Sequence, residues 1–334
     1  MPEKKQENIS RRSFVRKAGA ATGAIAMGSK VTSKAADAAA GTGELPRCVL
    51  GRTGLSVTRM TLGTAPAGIA KTISPQDVAG VVNEALDLGV NFVDTSPKYG
   101  NAEEGVGLAL GRRRKDIILA TKVWADTIPD AEKKLAKTFK TLKTDYADVL
   151  YFHNLGVRDV ARAREPDGVF TWLLKQKQAG KCRFVGVSGH NLPGRFIPFL
   201  ETGQVDVILV LINFVDRHTY NFEKKVLPLA RKHNTGIVAM KVFGGPDKKT
   251  GSWGNPKAKP YVGEKNVELA VRYALSTPGV ATANLGVHNV EQVRHNVEIV
   301  KRFRPLLRDE QQNVDRLGRT MALEWKEHFG PVTE

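Results

Sequence analysis

Cysteine, aromatic residues and long apolar runs are all scarce in this chain. Its 334 residues contain two cysteines, Cys48 and Cys182. That is too few for a disulfide framework, and no Cys-x-x-Cys metal or iron–sulfur motif is present. Two buried thiols are the default reading, with a bond between them in an oxidising compartment as the alternative. The apolar stretch Ala18 to Met27 is rich in Ala and Gly and too short and weak to anchor across a bilayer. No other stretch qualifies. Aromatic residues amount to 7% and are not interleaved with basic residues in any nucleic-acid motif. Also absent after the first strand is Gly-x-Gly-x-x-Gly, the fingerprint of an open, doubly wound dinucleotide fold.

Acid is in short supply too. With 51 Lys/Arg against 34 Asp/Glu the formal charge is +17. The first forty residues hold eight Lys/Arg and three Asp/Glu, which leaves +12 on the remainder. Such an excess suits nucleic acid, an anionic surface or an anionic cofactor. Because the basic residues are scattered along helical stretches, solvated faces are the preferred explanation and no nucleic-acid partner is expected.

Ser10-Arg11-Arg12-Ser13-Phe14-Val15-Arg16-Lys17 looks like a twin-arginine export signal. The weak apolar run follows, and then small residues, with Ala36-Asp37-Ala38 and Ala38-Ala39-Ala40 both acceptable as cleavage sites. The competing reading is a disordered basic tail, but charge, apolar core and small-residue exit come in the order a signal needs. Residues 1–40 are then a leader and 41–334 a single domain. The destination is periplasmic or extracytoplasmic, with the twin-arginine translocase as a transient partner and no stable membrane insertion after processing.

Behind the leader, short β-branched runs alternate with helical stretches. Residues 47–57 read as two short strands around Arg52-Thr53-Gly54, a hairpin able to plug a barrel floor. Thr58 to Gly63 supplies the first parallel strand. Further strands are expected near 91–95, 116–122, 147–152, 182–187, 206–210, 236–241 and 281–285. Helices are expected near 101–112, 130–143, 168–179, 193–201, 222–232, 264–276 and 289–302. Before these, Ser74-Pro75-Gln76-Asp77 opens a helix with Ser at the cap and Pro at the first helical position. Eight β-then-α units predict an α/β fold, a (β/α)8 TIM barrel with an N-terminal β-hairpin plug. Two additions are expected: a long Gly-, Pro- and Lys-rich segment, Phe243 to Gly263, of the kind that forms lids or binding loops, and an extra C-terminal helix, Asp309 to Gly330, presenting Leu317, Met321 and Trp325.

Four residues stand at successive strand ends: Asp94 and Tyr99 in Asp94-Thr95-Ser96-Pro97-Lys98-Tyr99-Gly100, Lys122 in Thr121-Lys122-Val123, and His153 in Tyr151-Phe152-His153. In a parallel barrel these ends share one mouth. A phenol, a carboxylate with an ammonium, and an imidazole there suit protonation of a carbonyl oxygen while a hydride reaches its carbon. Read singly, Asp94 can instead cap a turn, Lys122 face solvent and His153 be a hydrogen-bonded core residue. The ordered set resembles the aldo-keto reductase family over roughly residues 47–305, and specifically its poorly characterised branch of oxidoreductases. The resemblance implies Tyr99 as general acid/base, Lys122 lowering the phenol pKa, Asp94 pairing with Lys122, and His153 positioning the carbonyl.

It also implies NADP(H), with NAD(H) as the alternative. Gly286 to Asn296 lies where the family holds the adenosine end: Gly286 leads a turn into a helix start, Gln292 and Asn296 share one helical face, and His288 and Arg294 are nearby cations. The competing reading is a plain helix start with exposed polar residues. At the nicotinamide end Ser188 matches a carboxamide-holding residue, Met240 would lie beneath the ring beside Lys241, and Gly244-Gly245 would let backbone approach the pyrophosphate. Several places depart from the usual pattern: Gly189 stands for Asn, Leu209 for Gln and Ile212 for an aromatic. Trp124, Phe152, Phe214 and Trp253 are candidates to line an apolar substrate pocket. The expected activity is hydride transfer with a small carbonyl or alcohol substrate. The alternatives are a non-catalytic nucleotide-sensing or interaction barrel, and a nucleotide-free isomerase or lyase. No metal site is expected.

Overall fold

The computed structural model of the chain describes residues 43–334. The twin-arginine motif, the apolar run behind it and both cleavage positions lie outside the described residues. Strands β1 (Arg47–Val49) and β2 (Ser56–Thr58) pair antiparallel. Eight parallel strands follow: β3 (Met60–Gly63), β4 (Phe92–Asp94), β5 (Ile118–Val123), β6 (Ala147–Phe152), β7 (Cys182–Gly189), β8 (Val207–Leu211), β9 (Gly236–Met240) and β10 (Val280–Gly286). They close into a barrel in chain order, β10 pairing with both β3 and β9. All eight strands are nearly free of exposed residues, as expected where helices cover the outer face and side chains fill the inner one.

The hairpin stoppers the barrel. Leu50, Leu55 and Val57 join Phe92, Ile118, Val149, Val207, Val238 and Ala281 in a cluster inside the barrel. Arg52 latches the hairpin from outside, donating to the carbonyls of Gly203 and Val205 at 2.8 and 2.6 Å. Cys48 is half-buried, Cys182 is buried, and both are free thiols. Burial pushes the Cys182 thiol up to about 12.

The outer helices are α1 (Ala65–Ile69), α2 (Pro75–Asp87), α3 (Ala102–Leu110), α4 (Ile128–Leu142), α5 (Val160–Ala163), α6 (Val169–Gln178), α7 (Ile197–Glu201), α8 (Phe222–Lys225), α9 (Leu227–Lys232), α10 (Val267–Ser276), α11 (Val290–Lys301) and α12 (Arg308–Trp325). Helix α2 starts at the Ser74–Asp77 capping box, in which Ser74 Oγ accepts from Asp77 N while Asp77 accepts from Ser74 N. The single helices expected at 193–201 and 222–232 are each broken. Pro198 and Pro228 lack an N–H and crowd the carbonyl four residues back, so a 3-10 turn (Pro193–Phe196) precedes α7, and α8 and α9 separate at Val226.

Helix α12 buries Trp325 and packs Met321 against the core, as expected, but does not bury Leu317. Val314, Gly318 and Trp325 are its buried residues, whereas Leu317 is exposed. A Cβ at Gly318 would run into the Phe214 carbonyl, so the helix backbone itself lies against the barrel. Beyond α12 the tail returns across the mouth. Tyr220 Oη accepts from Phe329 N at 2.7 Å and donates to the Gly330 carbonyl at 3.1 Å. Among the described residues, no helix is long and apolar enough to cross a membrane.

Candidate active site

Strand ends β4, β5 and β6 carry the charged centre. Both Asp94 and Lys122 are buried, and Lys122 Nζ donates to both Asp94 carboxylate oxygens at 2.6 Å and to the Thr95 carbonyl at 2.9 Å. Two phenol rings flank the ammonium, Tyr99 with its centroid at 5.1 Å and Tyr151 at 5.5 Å. Gly186 makes room for Tyr151, since a Cβ there would sit 2.5 Å from the ring. His153 follows β6 and is anchored by its backbone N–H to the Val123 carbonyl. Its ring meets Tyr99 edge-on at 6.0 Å and Trp124 at 5.1 Å.

Burial decides the protonation states. Desolvation raises the Asp94 carboxyl and lowers the Lys122 ammonium, each opposed by attraction to the other. Burial, and after it the Asp94 charge, push the Tyr99 phenol well above its ordinary value. No lowering by Lys122 offsets these two effects, so the phenol stays protonated. Burial, followed by the Lys122 charge, holds His153 well below the ordinary imidazole range, which makes it neutral. Ser96 Oγ lies 3.3 Å from His153 Nδ1 and accepts from Lys98 N. With the Ser96 hydroxyl donating to Nδ1, the ring hydrogen sits on Nε2 as a free donor.

A cavity of about 580 Å³ opens from Asp94 and Tyr99 and runs to the start of α11. Met240, Lys241, Gly286, His288, Gln292 and Asn296 all lie on its wall. Asn289 caps α11, and Gln292 Oε1 turns back to accept from His288 N at 2.7 Å, which leaves only its NH₂ toward the cavity. Arg294 is not on the wall and pairs with Glu84 at 2.7 Å.

Ser188 and Gly244 do not stand on the wall. Ser188 Oγ is buried and accepts from Asn154 N at 3.1 Å. The space beside Gly244 is filled by the Trp325 ring of α12, so the room that glycine leaves serves packing, while Gly245 does face the cavity. At Gly189 a Cβ would come within 3.1 Å of the Phe196 ring, which stands where a longer side chain would have to go. Phe152 and Phe214 are core residues, and of the four expected pocket aromatics Trp253 is on the wall. Trp124 is instead stacked by Arg158 at 4.1 Å.

The Aldo/keto reductase family pattern matches residues 59–252, more than half of the chain. The chain belongs to the aldo/keto reductase family. It is an oxidoreductase by that membership. L-galactose dehydrogenase of Arabidopsis thaliana is 27% identical over 293 residues, covering 78% of this chain and 90% of the relative. An aldo-keto reductase from Bacillus halodurans, solved in its holo form, is 25% identical with a TM-score of 0.67, covering 82% of this chain and 96% of that one. An aldo-keto reductase from Klebsiella pneumoniae, solved in complex with NADPH, shares the fold at 20% identity and a TM-score of 0.62, covering 82% and 94%.

Several wall residues of this aldo/keto reductase escaped sequence reasoning. Asn284, two residues before the end of β10, has a buried Oδ1 with no partner, and it supports the charged form of Asp94. The signal was there: an Asn inside the buried run Ala281-Thr282-Ala283-Asn284-Leu285 is costly unless something bonds it. His190, Lys257, Lys259 and His295 also line the cavity. Phe329 stacks on His190 at 5.6 Å and 23°, a contact between positions 139 residues apart for which no local pattern exists. The residues present fit a dinucleotide. The orphaned Asn284 Oδ1 waits at the charged end, and basic side chains border the far half.

Proposed function

We propose that this enzyme transfers hydride between NADP(H) and a small carbonyl or alcohol, with Tyr99 as the proton donor and acceptor. The observation that carries the reading is the buried Asp94–Lys122 pair beneath a protonated Tyr99, at one end of a cavity that reaches Asn296. The nicotinamide, when bound, supplies or accepts the hydride. Asn284 and Met240 would border its ring, and Gly245, His288, Gln292 and Asn296 the remainder, whereas Ser188 stands off the wall.

In the reducing direction the Tyr99 O–H bond breaks and the proton goes to the carbonyl oxygen. The phenolate left behind faces the Lys122 ammonium, which Asp94 keeps charged and aimed. Neutral His153 stands edge-on to Tyr99 rather than on the wall, and from Nε2 it would orient the same oxygen. Tyr99→Phe should lower kcat by roughly 10²–10⁴-fold and leave NADPH affinity nearly unchanged. Retained reductase activity would refute the assignment.

Lys257, Lys259 and His295 favour the phosphorylated dinucleotide, although Lys259 lies 3.5 Å from Glu264 on the same wall and Gly286 and Gln292 add no cation. Titration of residues 41–334 with NADPH and then NADH, followed by tryptophan fluorescence, ranks the two. Equal affinities would remove the preference.

Residues 1–40 form a twin-arginine leader in this reading, ahead of a single barrel domain, 41–334. Arg11-Arg12 with its apolar and small-residue followers supports recognition by the twin-arginine translocase and delivery to the periplasm or beyond. Joint Arg11→Lys and Arg12→Lys should hold the protein in the cytoplasm, as fractionation would show; normal export of that pair would end the proposal.

A further inference from the structure

Lys241 follows β9 with φ +56°, a left-handed conformation that side chains other than glycine adopt rarely. Two hydrogen bonds impose it. The Lys241 carbonyl accepts from Gly244 N at 2.8 Å and from Asn213 Nδ2 at 3.0 Å, and Asn213 is itself held by Asp216. The ammonium stands 3.9 Å from the Trp253 ring centroid and 5.8 Å from that of Phe329. These faces hold a cation without neutralising it. Among the described residues, Lys241 Nζ makes no ion pair or hydrogen bond.

Lys241 lines the same wall as Asp94, Tyr99 and His190, and Phe329 stacks on His190 while standing 5.8 Å from the ammonium, so this charge acts on the reacting end of the cavity. Lys241 bears on Asp94, His153 and His190, and burial followed by repulsion from Lys122 brings its own value down to about 8. Asp94 is already matched by Lys122, so the reacting end carries a surplus positive charge. An unmatched cation in a partly desolvated wall is costly, and an arriving anion relieves that cost.

Resting on the hydride-transfer reading above, we propose that Lys241 binds an anionic group of the substrate, carried close to the carbonyl that Tyr99 protonates. The family tetrad alone selects a carbonyl; Lys241 selects a carbonyl compound that is also an acid. The other source of an anion is the pyrophosphate of the cofactor, and the experiment separates the two.

The full-length enzyme, saturated with NADPH, is assayed on two matched pairs: glyoxylate and its methyl ester, and succinic semialdehyde and its methyl ester. The acid of at least one pair should be preferred in kcat/KM by about tenfold or more, the worth of one charge-assisted hydrogen bond. Lys241→Met and Lys241→Gln should bring that ratio close to one, and Lys241→Arg should keep most of it. A second arm needs no turnover. Oxamate is titrated into the protein with NADP⁺ present, and Trp253 beside the ammonium reports binding. A saturable change is expected in the wild type and in Lys241→Arg, and its loss in Lys241→Met.

No acid preference together with no Lys241-dependent oxamate signal would overturn the proposal. So would a Lys241→Met variant that loses NADPH affinity while keeping the ratio, since the cation would then serve the cofactor. Lys241-dependent oxamate binding without turnover of any pair would sink the hydride-transfer reading and leave the anion site standing.

Discussion

At the scale of single residues, the Asp94–Lys122 pair is the part of the site most exposed to mutation. Both groups are buried, so removing one leaves the other charged and unmatched. Asp94→Asn should cost about 3–5 kcal/mol in unfolding free energy. The double variant Asp94→Asn with Lys122→Met should recover part of that loss, since no bare charge remains. Urea unfolding of the two variants checks both statements, and a double variant less stable than the single one would contradict the account. The identities of Asp94, Tyr99, Lys122 and His153 were legible in the sequence because three of them stand at or beside the ends of β-branched or aromatic runs and Tyr99 follows in the turn after the first. Their protonation states were not. Tyr99 is driven up and His153 down by desolvation, which depends on everything packed around them.

Among the elements, α12 and its tail show how packing overrides pattern. Helical spacing marks Leu317, Met321 and Trp325 as a plausible face, yet the helix leaves Leu317 exposed and lays Gly318 on the Phe214 carbonyl. Trp325 then reaches Gly244 and stacks on Tyr261 at 4.2 Å with rings nearly parallel. Gly244→Ala places a methyl against that ring at φ +74°, and it should cost about 1–3 kcal/mol. It should also loosen the segment 243–263, raising tryptic cleavage at Lys248 and Lys249. Unchanged melting temperature and cleavage would show that the indole moves aside freely. The split helices teach a related lesson. Periodicity across 222–232 is continuous, but Pro228 removes a hydrogen bond that periodicity does not register.

For the whole molecule, histidine burial sets a pH dependence of stability. His153, His190, His218 and His288 all have values lowered in the fold, in each case chiefly by burial. Such a group takes up its proton more readily when unfolded, so its contribution is complete above the unfolded value of ~6.5 and is lost as pH falls through it. Stability should therefore decline below that pH, by up to about 1.4 kcal/mol per pH unit for a fully buried histidine. The raised carboxyls of Glu103 and Glu223 pull the other way at lower pH. His153→Asn isolates one group: its stability should fall less steeply between neutrality and pH ~5.5 than that of the wild type. Parallel profiles would mean that His153 is protonated in the fold.

The alternation of eight strands and their covering helices, the hairpin plug and the four strand-end residues follow from local chemistry. Apolar periodicity, caps and strand-end position are short-range properties, and a closed parallel barrel turns strand-end position into spatial proximity. What the side chains do at that mouth was decided by tertiary structure. Closure brings Lys241 near Asp94 and Lys122, turns Ser188 onto Asn154, gives Gly244 to Trp325 and lays Phe329 over His190. Each of these joins residues distant in sequence, and each depends on which neighbour fills the last few ångströms of space, a quantity that no residue carries alone.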